Sequence, residues 1–284
     1  MSTGAGGQID GFPRERNHPV MFAPIHPAMH ASLTQPLRAL AELAVPSSCA
    51  ACREPGPAVC QRCAADANAA LWAGGPRESS PDPRPPGLPL VTSTGRYAGA
   101  LARVVAAVKD EDRRDLVDPL GVLLAEAVDA TLAAWPAAGT AWRRQSGPVL
   151  VVPVPSSRAA RRRRGDAPVR LLAGRAVRDY APTEVMLADV LRPRRRVADQ
   201  AGLSAVQRAV NLEHSMQVSA RWQHALPGAV CVVVDDVLTT GATLVEATRA
   251  LTRAGAVEVR CAVVCATQRR HRTSAPSPHS AYSR

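Results

Sequence analysis

Lysine is almost missing from this chain: Lys109 is the only one among 35 basic residues in 284, so nearly all the positive charge is arginine. That scarcity excludes a nucleoside triphosphatase loop of the form Gly-x-x-x-x-Gly-Lys-Ser/Thr, because the sole lysine is followed by Asp110. Aromatic residues make up only 3% of the chain, which leaves Ala, Val and Leu to fill the core and little to stack on single-stranded nucleic acid. No run approaches the roughly 18–20 apolar residues that span a bilayer, so no membrane partner is expected. Residues 1–35 lack the apolar stretch of a secretory signal, and the expected location is cytoplasmic, where thiols stay reduced.

What is abundant is Ala, Pro and Arg, the bias of a GC-rich genome, so part of the net charge of +11 is compositional. A basic chain still favours anionic ligands. Arginine runs at 161–164, 194–196 and 269–272 are compatible with solvated loops as well as with anion contact.

The Gly-, Pro- and His-rich residues 1–35 are expected to be a disordered extension, and the basic residues 269–284 a disordered tail. Residues 36–72 are expected to hold a short helix and a cysteine module. Residues 73–93 read as a Pro/Gly-rich linker with no regular element. Residues 94–268 then alternate: helical spacing over 97–108, 116–134, 166–180 and 243–253, and strand-like apolar runs over 149–154, 184–191, 229–234 and 257–266. Strands alternating with helices predict an α/β domain with a mostly parallel sheet flanked by helices.

Four of the seven cysteines form two Cys-x-x-Cys pairs, Cys49 with Cys52 and Cys60 with Cys63, separated by seven residues. Four thiolates suit tetrahedral Zn²⁺, and a closed set of four is structural, since catalysis needs an open coordination position. Pro55, Gly56 and Pro57 supply the turn between the pairs. Cys231, Cys261 and Cys265 fall in apolar strands and read as small buried hydrophobes.

The densest chemistry lies at 232–244, Val-Val-Val-Asp-Asp-Val-Leu-Thr-Thr-Gly-Ala-Thr-Leu. An apolar strand is expected to end at Asp235 and Asp236, turn through Thr239, Thr240 and Gly241, and enter a helix at Ala242. Ligands of open α/β sheets bind at the carboxyl ends of the strands. The helix N-terminus is a ready anion site, Gly241 permits close backbone approach, and Thr239, Thr240 and Thr243 add hydroxyl donors. Two carboxylates would repel a phosphate but suit a polyhydroxyl group or hydrated Mg²⁺. Together these describe a site for a phosphorylated sugar.

Residues 232–244 resemble the phosphoribosyl pyrophosphate signature of type I phosphoribosyltransferases. The resemblance implies that Asp235 and Asp236 are the catalytic pair holding the ribose hydroxyls, and that Thr239, Thr240, Gly241, Ala242 and Thr243 hold the 5-phosphate. It places a pyrophosphate loop at Pro155, Ser156, Ser157 and Arg158, with Arg164 and Lys109 as further phosphate contacts, where guanidinium forks suit phosphate oxygens. For Lys109 a solvated helix end is an equal alternative. The chain is similar more narrowly to the ComF family over about residues 37–268. The carriers are the four cysteines, Tyr97-Ala-Gly-Ala-Leu101 through Lys109, Val152-Pro-Val-Pro155, Arg164-Gly165, and Arg194 to Arg196 with Gln200, Leu203, Arg208 and Asn211. Two departures lie near the expected pyrophosphate side: Asp166-Ala-Pro where the family has Phe-Asn-Gln, and Asp110 where an aromatic is usual.

The resemblance implies a type I phosphoribosyltransferase-like fold with a small N-terminal zinc module. It also implies phosphoribosyl pyrophosphate as ligand, Mg²⁺ bound with it, and transfer of phosphoribose to a nitrogenous, nucleobase-like acceptor, a glycosyltransferase reaction. The alternative is a non-catalytic binding protein, or an accessory of DNA uptake with a nucleic acid or competence-machinery partner.

Overall fold

A computed structural model describes residues 48–135, 147–155, 167–194 and 214–268. Helix α1 (Gln61–Ala69) follows the second cysteine pair and leads to two strands, β1 (Arg77–Glu78) and β2 (Val91–Arg96). Helices α2 (Gly99–Glu111) and α3 (Val117–Ala133) come next, then β3 (Val149–Pro153) and α4 (Pro168–Ala176). Short strands β4 (Val185–Leu187), β5 (Leu191–Pro193) and β6 (Met216–Val218) precede β7 (Val230–Leu238), α5 (Ala242–Arg253) and β8 (Glu258–Ala266).

Six strands form one sheet in the order β1-β2-β8-β7-β3-β4, and β5 pairs with β6 in a separate antiparallel ribbon. Only β1 runs against its neighbour in the main sheet; β2, β8, β7, β3 and β4 are parallel. Parallel strands connected through helices are covered on both faces, which is why β3 is buried at every position and reads as an unbroken apolar run. Cys231, Cys261 and Cys265 are fully buried in β7 and β8 and pack as small apolar side chains; burial pushes all three thiols up. Helix α3 lies against β2, β8 and α4, and the Thr94 hydroxyl of β2 donates to the Leu123 carbonyl of α3 at 2.8 Å.

Three sequence expectations need correction. Residues 73–93 are not without regular structure: β1 pairs with β2 at Arg77↔Ser93 and Glu78↔Thr92, and Leu88 is buried in the main core. Proline and glycine exclude a helix there, yet a two-residue edge strand needs few ladder bonds. Secondly, β7 does not end at the acid pair but runs on to Leu238, because β8 keeps pairing with it at Asp235↔Val263, Val237↔Cys265 and Leu238↔Ala266. Finally, the strand expected over 184–191 is split between β4 and β5. The Val190 N–H donates to the Ala188 carbonyl at 2.8 Å in a tight turn that breaks the ladder.

The cysteine module shares one continuous core with the α/β domain, from Cys49, Cys63 and Ala67 through Leu101 and Val104 to the central strands. Its attachment is also polar. The Trp72 N–H donates to the Thr94 carbonyl at 3.0 Å and the Arg96 N–H to the Ala70 carbonyl at 2.8 Å, closing the backbone after α1 onto β2. Gly95 is required at this seam, since a Cβ there would stand 2.9 Å from the Ala70 carbonyl oxygen. The helix expected before Cys49 lies outside the described residues, whereas α1, which carries Cys63, was not anticipated. Its mix of Ala, Asn, Asp and Arg has no strong apolar stripe.

Candidate functional site

Strand β7 hands its chain to α5 through Thr239, Thr240 and Gly241 at the carboxyl end of the sheet. Gly241 is the N-cap of α5 and has φ +77°, a left-handed conformation that favours glycine. A Cβ at this position would also lie 3.1 Å from Leu88 and 3.3 Å from Pro85, so the segment around 85–88 braces the loop from outside. No side chain of the N-cap residue satisfies the first turn of α5. The first-turn N–H groups and the positive dipole end therefore face the loop, with Thr239 exposed and Thr240 and Thr243 half-buried around it. Ala242 receives only a long contact, its N–H lying 3.4 Å from the Thr240 hydroxyl.

The acid pair sits just before this loop. Neighbouring residues of a strand point to opposite faces, so the carboxylates straddle β7; the Asp236 N–H donates to Asp235 Oδ1 at 2.9 Å. Asp236 is buried, and the ammonium of Lys109, from the last turn of α2, stands 3.5 Å from its Oδ2. Lys109 thus reaches the acid pair from an exposed position at the end of its helix. The charge of Asp236 holds the Lys109 ammonium above its ordinary range against the opposing effect of burial. Burial, with the charge of Asp236 next, raises the Asp235 carboxyl well above the usual carboxylate range.

The neighbouring strand ends at the same place. Pro153 pairs with Val234, and the Val154 N–H donates to the Val234 carbonyl at 3.0 Å, so Pro155 leaves the sheet beside the acid pair. Ser156, Ser157, Arg158 and Arg164 lie outside the described residues, as do Gln200, Arg208 and Asn211. One neighbour was not foreseen as a site residue. Tyr97 follows β2, donates its backbone N–H to the Ala266 carbonyl at 2.8 Å and is part-exposed. Burial raises its hydroxyl pKa, and Cys265, Lys109 and Asp236 all act on it. Its position in the Tyr-x-Gly pattern was the available signal.

The four expected metal ligands come together. The sulfur atoms of Cys49, Cys52, Cys60 and Cys63 all lie within 4.8 Å of one another, with Cys52 and Cys60 3.7 Å apart. Sulfurs on a tetrahedral Zn²⁺ at about 2.3 Å would be about 3.8 Å from each other. The residues fit that ion. Backbone groups are already turned toward the sulfurs: the Cys60 N–H points at Cys49 Sγ from 3.4 Å. Burial pushes the Cys49 thiol up, but N–H groups of Cys60, Cys52 and Ala51 outweigh it and bring the thiol down to about 6. Burial and the neighbouring sulfurs push the Cys63 thiol up to about 12. The cluster can hold a metal ion, and a closed set of sulfurs gives that ion a structural role.

Residues 175–282 match the family model described as "Phosphoribosyl transferase domain". The α/β domain has the type I phosphoribosyltransferase fold. The matched stretch contains β4 to β8, the acid pair, the threonine loop and α5; Lys109 and the four clustered cysteines precede it. No curated protein matches the chain in sequence. Among solved structures, one titled "structure of the allosteric regulatory enzyme of purine biosynthesis" is 17% identical, with a TM-score of 0.29. The match covers 52% of this chain and 26% of that one, so this chain spans about a quarter of that protein's length. Among the described residues no helix is long and apolar enough to cross a membrane.

Proposed function

We propose that the chain binds phosphoribosyl pyrophosphate with Mg²⁺ at the carboxyl end of β7 and transfers its phosphoribosyl group to a nitrogenous acceptor. The observation that carries this reading is one strand–loop–helix unit in which a carboxylate pair, partnered by Lys109, adjoins a helix N-terminus ringed by Thr239, Thr240 and Thr243. The α5 amides and the threonine hydroxyls receive the 5-phosphate, for which they offer donors and positive potential. Asp235 and Asp236 accept hydrogen bonds from the ribose hydroxyls. Mg²⁺, when bound, neutralises the pyrophosphate and makes it a better leaving group. Lys109, Pro155, Ser156, Ser157, Arg158 and Arg164 form the pyrophosphate side.

In the reaction the acceptor nitrogen forms a bond to the anomeric carbon as the bond to pyrophosphate breaks, and the acceptor gives up a proton. Positive charge gathers on the sugar ring near the acid pair, and negative charge leaves toward Lys109. The chain's contribution is to hold both partners in line. The four cysteines hold a structural Zn²⁺, and the resemblance to the ComF family supports that assignment. The test is release of pyrophosphate when the zinc-loaded protein is incubated with phosphoribosyl pyrophosphate, Mg²⁺ and a panel of nucleobases. Release that depends on one base supports a transferase. Tight binding without release for any base would make the protein a holder of the ligand rather than an enzyme.

A further inference from the structure

Helix α2 carries Lys109 to Asp236; its apolar face is buried in the main core, and its two ends are tied by polar contacts to the cysteine module. The N-cap of α2 is Ala98, which has no side-chain acceptor for the first-turn amides. Asp66 of α1 supplies one from outside: the Ala100 N–H donates to Asp66 Oδ2 at 2.7 Å, and Arg103 approaches the same oxygen at 3.4 Å. A carboxylate at this end satisfies an unpaired N–H and complements the helix dipole. Gly99 has φ +55°, and a Cβ there would stand 2.9 Å from both Asp66 oxygens, so glycine is what lets α1 approach so closely. Asp66 lies one helical turn beyond Cys63.

The far end of α2 is gripped as well. Arg53 makes a two-point ion pair with Glu111. Its backbone N–H donates to the Cys49 carbonyl at 2.8 Å, so it is part of the first cysteine turn. Just past the helix, Arg113 donates to the Ser48 carbonyl at 2.9 Å. The Arg53–Glu111 pair is exposed and contributes modestly; the Asp66 carboxylate is exposed too, but its bond to the Ala100 N–H is part-buried.

We propose that Asp66 and Arg53 are positioning residues that hold α2, and with it Lys109, against Asp236, so that the metal state of the four-cysteine centre sets the affinity of the acid-pair site. This rests on reading that site as one for phosphoribosyl pyrophosphate. Among the described residues Lys109 is the cation paired with the acid pair, and an anion enters more easily while the lysine stays there. Metal loss frees both cysteine turns, releases Asp66 and Arg53, and lets α2 drift from β7.

The test is a calorimetric cycle on the zinc-loaded full chain with phosphoribosyl pyrophosphate and Mg²⁺, using Asp66→Ala, Lys109→Ala and the double variant. Each single change should weaken binding about tenfold, and the double variant should be no more than about twofold weaker than Lys109→Ala alone. Asp66→Asn keeps an acceptor and should restore most of the affinity. Equal weakening by Asp66→Ala with and without Lys109 would overturn the inference, since Asp66 would then act through the fold at large. Amide hydrogen exchange gives a second arm that needs no ligand. Stripping zinc with a chelator should speed exchange across residues 99–111 while β3 and β7 stay protected, and unchanged protection in α2 would overturn the clamp. A wild-type protein that binds no phosphoribosyl pyrophosphate would sink the ligand reading, while the exchange arm still decides the clamp.

Discussion

The two polar centres of this protein are built in opposite ways. The cysteine centre is closed: four sulfurs face one another within 4.8 Å, and backbone N–H groups are turned inward. The β7–α5 centre is open: two carboxylates and a helix N-terminus project from the carboxyl end of the sheet, where a left-handed glycine takes the place of a capping side chain. A closed centre satisfies itself once metal is bound and contributes to folding. An open one keeps helix-end donors without a capping side chain and a raised carboxyl, that of Asp235, at some expense in stability. The first is built as a structural element would be, and the second as a ligand site would be.

Removing the metal should have the largest effect, because binding energy at such sites is folding energy. Chelation is expected to unfold the cysteine module and lower the thermal midpoint of the whole chain, as read by circular dichroism, since the module shares the main core. A module that stays folded without metal would erase the contrast between the centres. Breaking the buried Glu246 network comes next. Glu246 accepts from the Met216 N–H at 2.8 Å and pairs with Arg249, tying the β5–β6 ribbon to α5. Glu246→Ala should cost about 2–3 kcal/mol in denaturant unfolding, because it strands a buried donor and a half-buried arginine. Burial would raise the Glu246 carboxyl, but Arg249 and backbone N–H groups outweigh it and hold it below its ordinary range. Its contribution is therefore present above the unfolded carboxyl value of about 4.3 and fades as pH falls through the lower folded value.

Gly241→Ala should cost about 1–2 kcal/mol through the left-handed φ and the contact with Leu88 and Pro85. It should also weaken phosphate binding, which inorganic phosphate titration can read. The smallest effect runs the other way. Asp235 has its folded carboxyl value raised by burial and by Asp236. Below the unfolded value both states are protonated and nothing is lost; as pH rises from there through the raised folded value, ionisation favours unfolding. Asp235→Asn should therefore raise the midpoint by about 2–4 °C at neutral pH and leave it unchanged below about pH 4. A neutral substitution that destabilises at pH 7 would mean that the acid pair is a structural element like the cysteines.

Local patterns carried much of this into the sequence. The apolar runs of β3, β7 and β8 and the helical spacing of α2, α3 and α5 are periodic signals, and both centres are built from short contiguous stretches whose spacing is itself the motif. Contacts between distant segments left no such trace. That Leu88 braces Gly241, that Lys109 reaches Asp236, and that Asp66 caps α2 are consequences of packing between elements. Glycine was the partial exception, since Gly95 and Gly99 each mark a close approach, but a glycine does not say what approaches it. The end of β7 was misplaced because paired aspartates read as a strand stop, whereas continued pairing with β8 decides.

The open centre is proposed as a phosphoribosyl pyrophosphate site. Its most direct test is isothermal calorimetry of the zinc-loaded protein with phosphoribosyl pyrophosphate and Mg²⁺, beside an Asp235→Asn/Asp236→Asn variant shown to be folded. Saturable binding at one site that disappears in the variant is the expected result. No heat from the folded wild type, or equal binding by the variant, would contradict the claim.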